Sequence, residues 1–187
     1  MFVKRGSGRI VFVFPSLRLV IKFPIFHAVL AFSPFFSSDF RGWRWKFLKN
    51  YMTWPLETKG GFRCLMFKGL VANWTEFYFY WRTRNPFLQP TLFSFFGLMN
   101  IMPFAEPCKF QEDDLWCQLY ELTGGKVFKD AHHFADPLNF CFFNQTLRMI
   151  DYGSRGCQLV VSEFGEKIVR SFNPQYCWEE EKKKLSD

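Results

Sequence analysis

The sequence predicts an α+β fold, and three observations carry that expectation. Runs of β-branched and aromatic residues bounded by Gly and Pro, such as 9–14 and 17–23, read as strands. Segments such as 112–122 open on acidic residues and close on Gly-Gly, as helices do. The length of 187 residues, 49% of them apolar, suits one domain or at most two small lobes with a real core. No internal period is present, which excludes repeat, collagen-like and coiled-coil architectures.

The elements follow in order. Gly6-Ser7-Gly8 precedes the strand 9–14; Pro15-Ser16 makes a turn; the second strand, 17–23, stops at Pro24. The two form a hairpin. In 24–70 the reading is thin. Ser37-Ser38-Asp39 is placed to cap a helix over 40–51, and 58–61 is a turn or loop. A helix is expected from Asn73, as N-cap with Glu76 three residues on, to about Arg84, where Asn85-Pro86 ends it. Residues 91–96 and 98–102 read as short strands around Gly97, and 103–107 as an extended connector. A helix over 112–122 precedes Gly124-Gly125. Residues 140–143 and 147–150 make a second hairpin around Asn144-Gln145. Residues 160–169 suit a strand or a helix, and 179–184 is a solvated charge run.

Charge is unevenly spread. Residues 1–100 hold 14 Lys/Arg against 3 Asp/Glu, for +11; residues 101–187 hold 10 against 14, for −4. A basic half favours anionic partners. The most apolar stretch, 10–36, is broken by Arg18, Lys22 and three prolines, so no transmembrane segment is expected, although a peripheral membrane contact stays open. Arg41-Gly42-Trp43-Arg44-Trp45-Lys46 interleaves basic and aromatic residues as nucleic-acid patches do; a solvated amphipathic helix is the plainer account. The aromatic run 77–81, at helical spacing, reads as core rather than as a base-stacking platform. Six cysteines without CxxC spacing signal no zinc site, and His132-His133 with Cys141 and Cys157 lacks a third close ligand. With no small-residue cleavage site after the basic start, the thiols are expected reduced and the protein cytoplasmic. No Gly-x-Ser-x-Gly, Walker, His-Glu-x-x-His or EF-hand pattern occurs.

Several residues in this order carry a resemblance. Gly-x-Gly at Gly6 and Gly8 precedes a hairpin whose second strand holds Val20-Ile21-Lys22. Glu76 lies on a later helix. His132-His133-Phe134-Ala135-Asp136-Pro137-Leu138-Asn139 is followed, after a hairpin, by Asp151-Tyr152-Gly153. This resembles the protein kinase-like fold over roughly 6–155, with His132, Pro137 and Asn139 matching the catalytic loop. The resemblance implies two lobes: a sheet-rich N-terminal lobe over 1–105 with an insertion around 24–70, and a reduced helical C-terminal lobe over 106–178, ahead of the tail 179–187. It implies ATP and Mg²⁺ as cofactors. Gly6, Gly8, Lys22 and Glu76 would hold the nucleotide, and Asn139 and Asp151 the metal. Phe134 stands where the family has its catalytic Asp, so Asp130, ranked above Asp136, would orient the acceptor.

Only 34 residues follow Gly153, too few for a peptide-docking platform, which favours a small-molecule acceptor over a protein. The expected function is therefore an ATP- and Mg²⁺-dependent phosphotransferase acting on a hydroxyl. One alternative is a pseudokinase-like interaction module with a protein partner. Another is a binder of nucleic acid or an anionic surface through the basic half. Plainer accounts of the same residues are a solvated Lys22, a capping Glu76 and loop positions at Asn139 and Asp151.

Overall fold

The structure, a computed structural model, describes residues 1–6, 8–36, 44–144 and 146–175. The chain is mixed α+β. β1 (Phe2–Arg5), β2 (Arg9–Phe14) and β3 (Leu19–Pro24) lead into α1 (Ala28–Phe36), α2 (Arg44–Thr53) and α3 (Phe62–Thr83). β4 (Phe93–Ser94) and β5 (Asn100–Pro103) follow, then α4 (Glu112–Thr123), α5 (Ala131–Ala135), the hairpin β6 (Phe140–Phe143) and β7 (Thr146–Met149), and α6 (Arg155–Ser171). The first five strands form one antiparallel sheet in the order β1-β2-β3-β5-β4; β6 and β7 pair separately.

The β2–β3 hairpin forms as its sequence predicts. A short 3₁₀ turn, Pro15–Leu17, and Arg18 in the left-handed region (φ 52°) reverse the chain, so β3 begins at Leu19 rather than at 17. Its register sets Arg9 opposite Pro24 and Val11 opposite Lys22. Facing residues in paired strands share a side of the sheet, so Arg9, Val11 and Lys22 point the same way. That side is covered by α3.

The helix α3 starts at Phe62, eleven residues before the position expected from Asn73. Asn73 is not an N-cap. It is fully buried within the helix, and its amide donates to the carbonyls of Lys22 (3.3 Å) and Gly97 (3.0 Å). What reads as a cap signal is a tertiary contact: the residue types that cap helices also bridge buried backbone groups. Gly69 lies inside the helix because the Gly8 backbone crosses it there, and a Cβ at Gly69 would collide with the Gly8 carbonyl oxygen. At the C-terminal end Arg84 takes φ 48° and Asn85 accepts from the Phe87 amide (3.0 Å), as Asn85-Pro86 predicts.

The stretch 24–70 holds two helices. α1 was not foreseen, and α2 agrees with the helix expected over 40–51 from Arg44, where the described residues resume. Both pack on the start of α3 through rings of Phe32, Phe35, Tyr51 and Phe62. The cap expected at Ser37-Ser38-Asp39, part of the Arg41–Lys46 patch, Gln145, Cys177 and the charged tail lie outside the described residues. α4 ends at Gly124 (φ 59°), in accord with the Gly-Gly signal. α6 settles 160–169 as helix. Its buried Cys157, Val160, Val161, Gly165 and Ile168 recur at helical spacing, and Ser154 caps it by accepting from the Cys157 amide (3.1 Å).

The main core joins Leu115 and Leu119 of α4, Phe134 of α5, Phe140, Leu147 and Met149 of the second hairpin, and the inner stripe of α6. Of the aromatic run 77–81, Phe79 enters this core but Tyr78 and Trp81 face solvent, so the run is core on one side only. Among the described residues no helix is long and apolar enough to cross a membrane, and Cys64, Cys117, Cys141 and Cys157 are free thiols.

Gly69→Ala is expected to destabilise the chain by about 1–3 kcal/mol, because backbone on backbone cannot yield as a side chain can. Urea unfolding checks this.

Candidate functional site

The chemistry-bearing residues meet where β2, β3, α3 and the segment after β7 converge. Lys22 Nζ lies 3.1 Å from Glu76 Oε2 and 3.3 Å from Oε1, and donates to the Ile150 carbonyl at 2.9 Å. Both side chains are almost wholly buried. The pair expected from sequence therefore exists, although its members lie 54 residues apart.

A third member was missed. Arg9 donates through Nη1 to Glu76 Oε1 (2.6 Å) and through Nη2 to Asp151 Oδ1 (2.5 Å). It also reaches Asn73 Oδ1 at 3.4 Å. Its guanidinium thus bridges the two carboxylates. The signal was present in the hairpin: Arg9 is the first residue of β2 and shares a face with Lys22 in that register.

The electrostatics follow from burial and pairing. Burial opposes the charge of Lys22 and lowers its pKa, although Glu76 pulls the other way. Burial also opposes ionisation of Asp151, but Arg9 and Lys22 outweigh it and hold the carboxyl well below the usual carboxylate range. Burial likewise works against Arg9, yet Asp151 and Glu76 keep it firmly charged. Two cations and two anions balance.

The other expected residues are held differently. Asn139 lies beside Asp151, since its carbonyl accepts from the Ile150 amide (2.7 Å), but its side-chain Nδ2 donates to the His133 carbonyl (3.1 Å). Asp130 accepts from the Ser154 hydroxyl, the Cys157 amide (3.0 Å) and His133 Nδ1 (2.7 Å), and so helps cap α6. Burial opposes its charge, but His133 and Ser154 hold its carboxyl below the ordinary value. Asp136 caps the turn Pro137–Asn139 by accepting from the Leu138 amide (2.9 Å). Phe134 is fully buried in the core. The Gly6 amide donates to the Arg9 carbonyl (2.9 Å), and the Gly8 carbonyl accepts from the Ile25 amide (2.8 Å).

Asp151 Oδ1 is committed to Arg9. A divalent cation at that carboxylate would lie against a guanidinium, so the residues as arranged do not fit Mg²⁺. Among the described residues no group of three or more His, Cys, Asp or Glu side chains converges as a metal site.

The space between Val20, Met102, Pro103, Ala105 and Ile150, whose carbonyl Lys22 reaches, is a cavity of about 20 Å³. Gln89 helps close it, donating to the Pro103 carbonyl at 2.9 Å. Tyr152 is pinned beneath, its hydroxyl 2.7 Å from both the Gln89 carbonyl and Thr91 Oγ1. A wider open groove of about 350 Å³ lies outside, lined by Arg18, Phe104, Glu106, Phe142 and Phe143 among others.

Glu76→Ala leaves two buried cations without their shared partner and is expected to cost about 3–5 kcal/mol, read from urea midpoints. His133 carries a raised pKa, caused first by its hydrogen bond to Asp130. Its contribution to stability is complete below its ordinary value of 6.5 and is lost as pH rises through the raised value. The advantage of wild type over His133→Asn should therefore shrink as pH rises above 6.5.

No family model, curated protein or solved structure matches the chain, so the site geometry alone bears on its chemistry.

Proposed function

We propose that the protein is a kinase-like scaffold working as a catalytically silent interaction module, its nucleotide cleft closed from within. The order of elements supports the kinase-like part. A lysine-bearing hairpin, a glutamate-bearing helix, a strand pair and connector, a loop ending at Asn139, a hairpin and Asp151-Tyr152-Gly153 follow one another as that fold implies.

One observation carries the silent part: the Arg9 guanidinium fills the space between Glu76 and Asp151. In an active site of this kind, phosphates and their metal would need that space. Three further features agree. The cavity of about 20 Å³ lined by Val20, Met102 and Ile150 has room for roughly one water, whereas ligand pockets run to about 300 Å³ or more. Phe134 replaces the residue that would align an acceptor hydroxyl, and it is packed in the core. Asp130, the nearest substitute, is occupied by Ser154, Cys157 and His133.

A second reading, an ATP- and Mg²⁺-dependent phosphotransferase acting on a small-molecule hydroxyl, is favoured by the retained Lys22–Glu76 pair and the ionised Asp151. It requires Arg9 to leave the cleft.

Thermal unfolding with ATP and Mg²⁺ decides between them. A ligand at about a hundred times its Kd adds roughly 2.7 kcal/mol, a shift of a few degrees in a chain of this size. No shift and no ATP consumption are expected of the wild type. A shift of several degrees with release of the γ-phosphate would establish the phosphotransferase and overturn the silent module.

A further inference from the structure

The end of the molecule built from α1, α2 and the start of α3 combines apolar side chains in water with a surround of positive charge. No Asp, Glu, Lys or Arg occurs over residues 23–36. The inner side of α1 is accounted for: Ala31 is fully buried, its carbonyl accepts from the Tyr51 hydroxyl (3.0 Å), and Phe35 meets the rings of Tyr51 and Phe62. The outer side is not. Val29 is 86% exposed and Phe36 83%, two turns apart on one side of the helix, with Phe26 exposed just ahead of them.

α2 repeats the arrangement. Leu48 and Tyr51 are buried, while Trp45 (86% exposed), Lys49 and Met52 share the opposite face at i, i+4 and i+7. Along the chain, residues 41–68 hold seven Lys/Arg against a single acidic residue, Glu57. Lys49, Lys59, Arg63 and Lys68 are exposed.

Charge selects the occupant. A second copy of the chain docking face to face would bring two strongly basic patches together, at a repulsive cost. Duplex nucleic acid would satisfy the cations but gives no return for Val29 and Phe36 in water. An anionic lipid surface satisfies both: apolar and Trp side chains enter the headgroup boundary, and Lys and Arg reach the lipid phosphates and carboxylates with their stems on the apolar surface. We propose that this face docks on an anionic phospholipid bilayer without crossing it, α1 lying along the headgroups with Phe26, Val29, Phe36 and Trp45 inserted. The inference stands apart from the kinase-like reading, since none of its residues belongs to the charge cluster.

Co-sedimentation of the full chain with vesicles tests it, using phosphatidylcholine alone or with about one-third phosphatidylserine. Binding is expected to the mixed vesicles, to weaken with salt, and to be slight with phosphatidylcholine alone. Val29→Asp with Phe36→Asp should lower partitioning about tenfold or more, since each change removes an inserted anchor and adds a like charge to the lipid. Its melting temperature should hold, because both side chains are in solvent. Lys49→Glu with Arg63→Glu should remove the preference for phosphatidylserine. Three outcomes overturn the proposal: no binding to mixed vesicles; binding indifferent to the Val29/Phe36 double change; or a dimer in light scattering that the same change disperses while vesicles stay unbound. Salt-sensitive capture of duplex DNA with vesicles left unbound assigns the basic face to nucleic acid and overturns it equally.

Discussion

Two buried charges, Lys22 and Glu76, and two partly buried ones, Arg9 and Asp151, hold the fold at its centre. Arg9, Lys22, Glu76 and Asp151 come from two strands, a helix and the segment after the second hairpin, and their contacts lie between 2.5 and 3.3 Å. Taking Lys22 and Glu76 out of water costs several kcal/mol apiece, and only pairing within the cluster offsets it. The cluster therefore does little for net stability against an apolar equivalent. It penalises every arrangement in which one member is missing, and so fixes how the sheet, α3 and the C-terminal part meet. The same demand removes chemistry: a carboxylate that must neutralise Arg9 is poorly placed to hold a metal.

The helix α3 makes that convergence possible, and small residues let it do so. The Gly8 backbone crosses it at Gly69, Gly97 (φ 77°) presses on the Leu70 carbonyl, and Gly153 sits against Ala72. Each contact brings main chain within van der Waals range of the helix, one from each region that supplies or supports the cluster. Asn73, between them, ties β3 and the β4–β5 turn to the helix through its amide. The apolar end formed by α1, α2 and the start of α3 is organised on other grounds, by ring packing within and exposed side chains without. The two regions are separable in chemistry as well as in place.

Much of the local structure was legible. The β2–β3 and β6–β7 hairpins, the β4–β5 pair around Gly97 and the α4 stop at Gly124 all rest on signals written in a few adjacent residues. α1 was not legible, because a short uncharged segment containing Pro34 has neither a cap nor a polar face to give it a period. The start of α3 was misplaced because Asn73 and Glu76 imitate a capping pair while serving buried partners. In the site, Lys22 and Glu76 were found through the resemblance, and they do pair. Arg9 was missed because a charge at a strand end reads as solvated until the strand register puts it beside Lys22. Asp130 was expected at an acceptor and is found capping α6, a difference made by Ser154 and Cys157, which lie 24 and 27 residues away.

The sequence by itself determined the α+β class, most strand and helix positions, the basic and acidic halves, and which residue types were available for chemistry. Those properties depend on neighbours along the chain, where propensity, turns and charge act within a few residues. The tertiary structure decided which charges meet, whether a cleft stays open beside Lys22, and which apolar side chains are left in water. These depend on approach between segments 54 to 142 residues apart, and a single guanidinium placed between two carboxylates changes what the site can do without changing any local pattern.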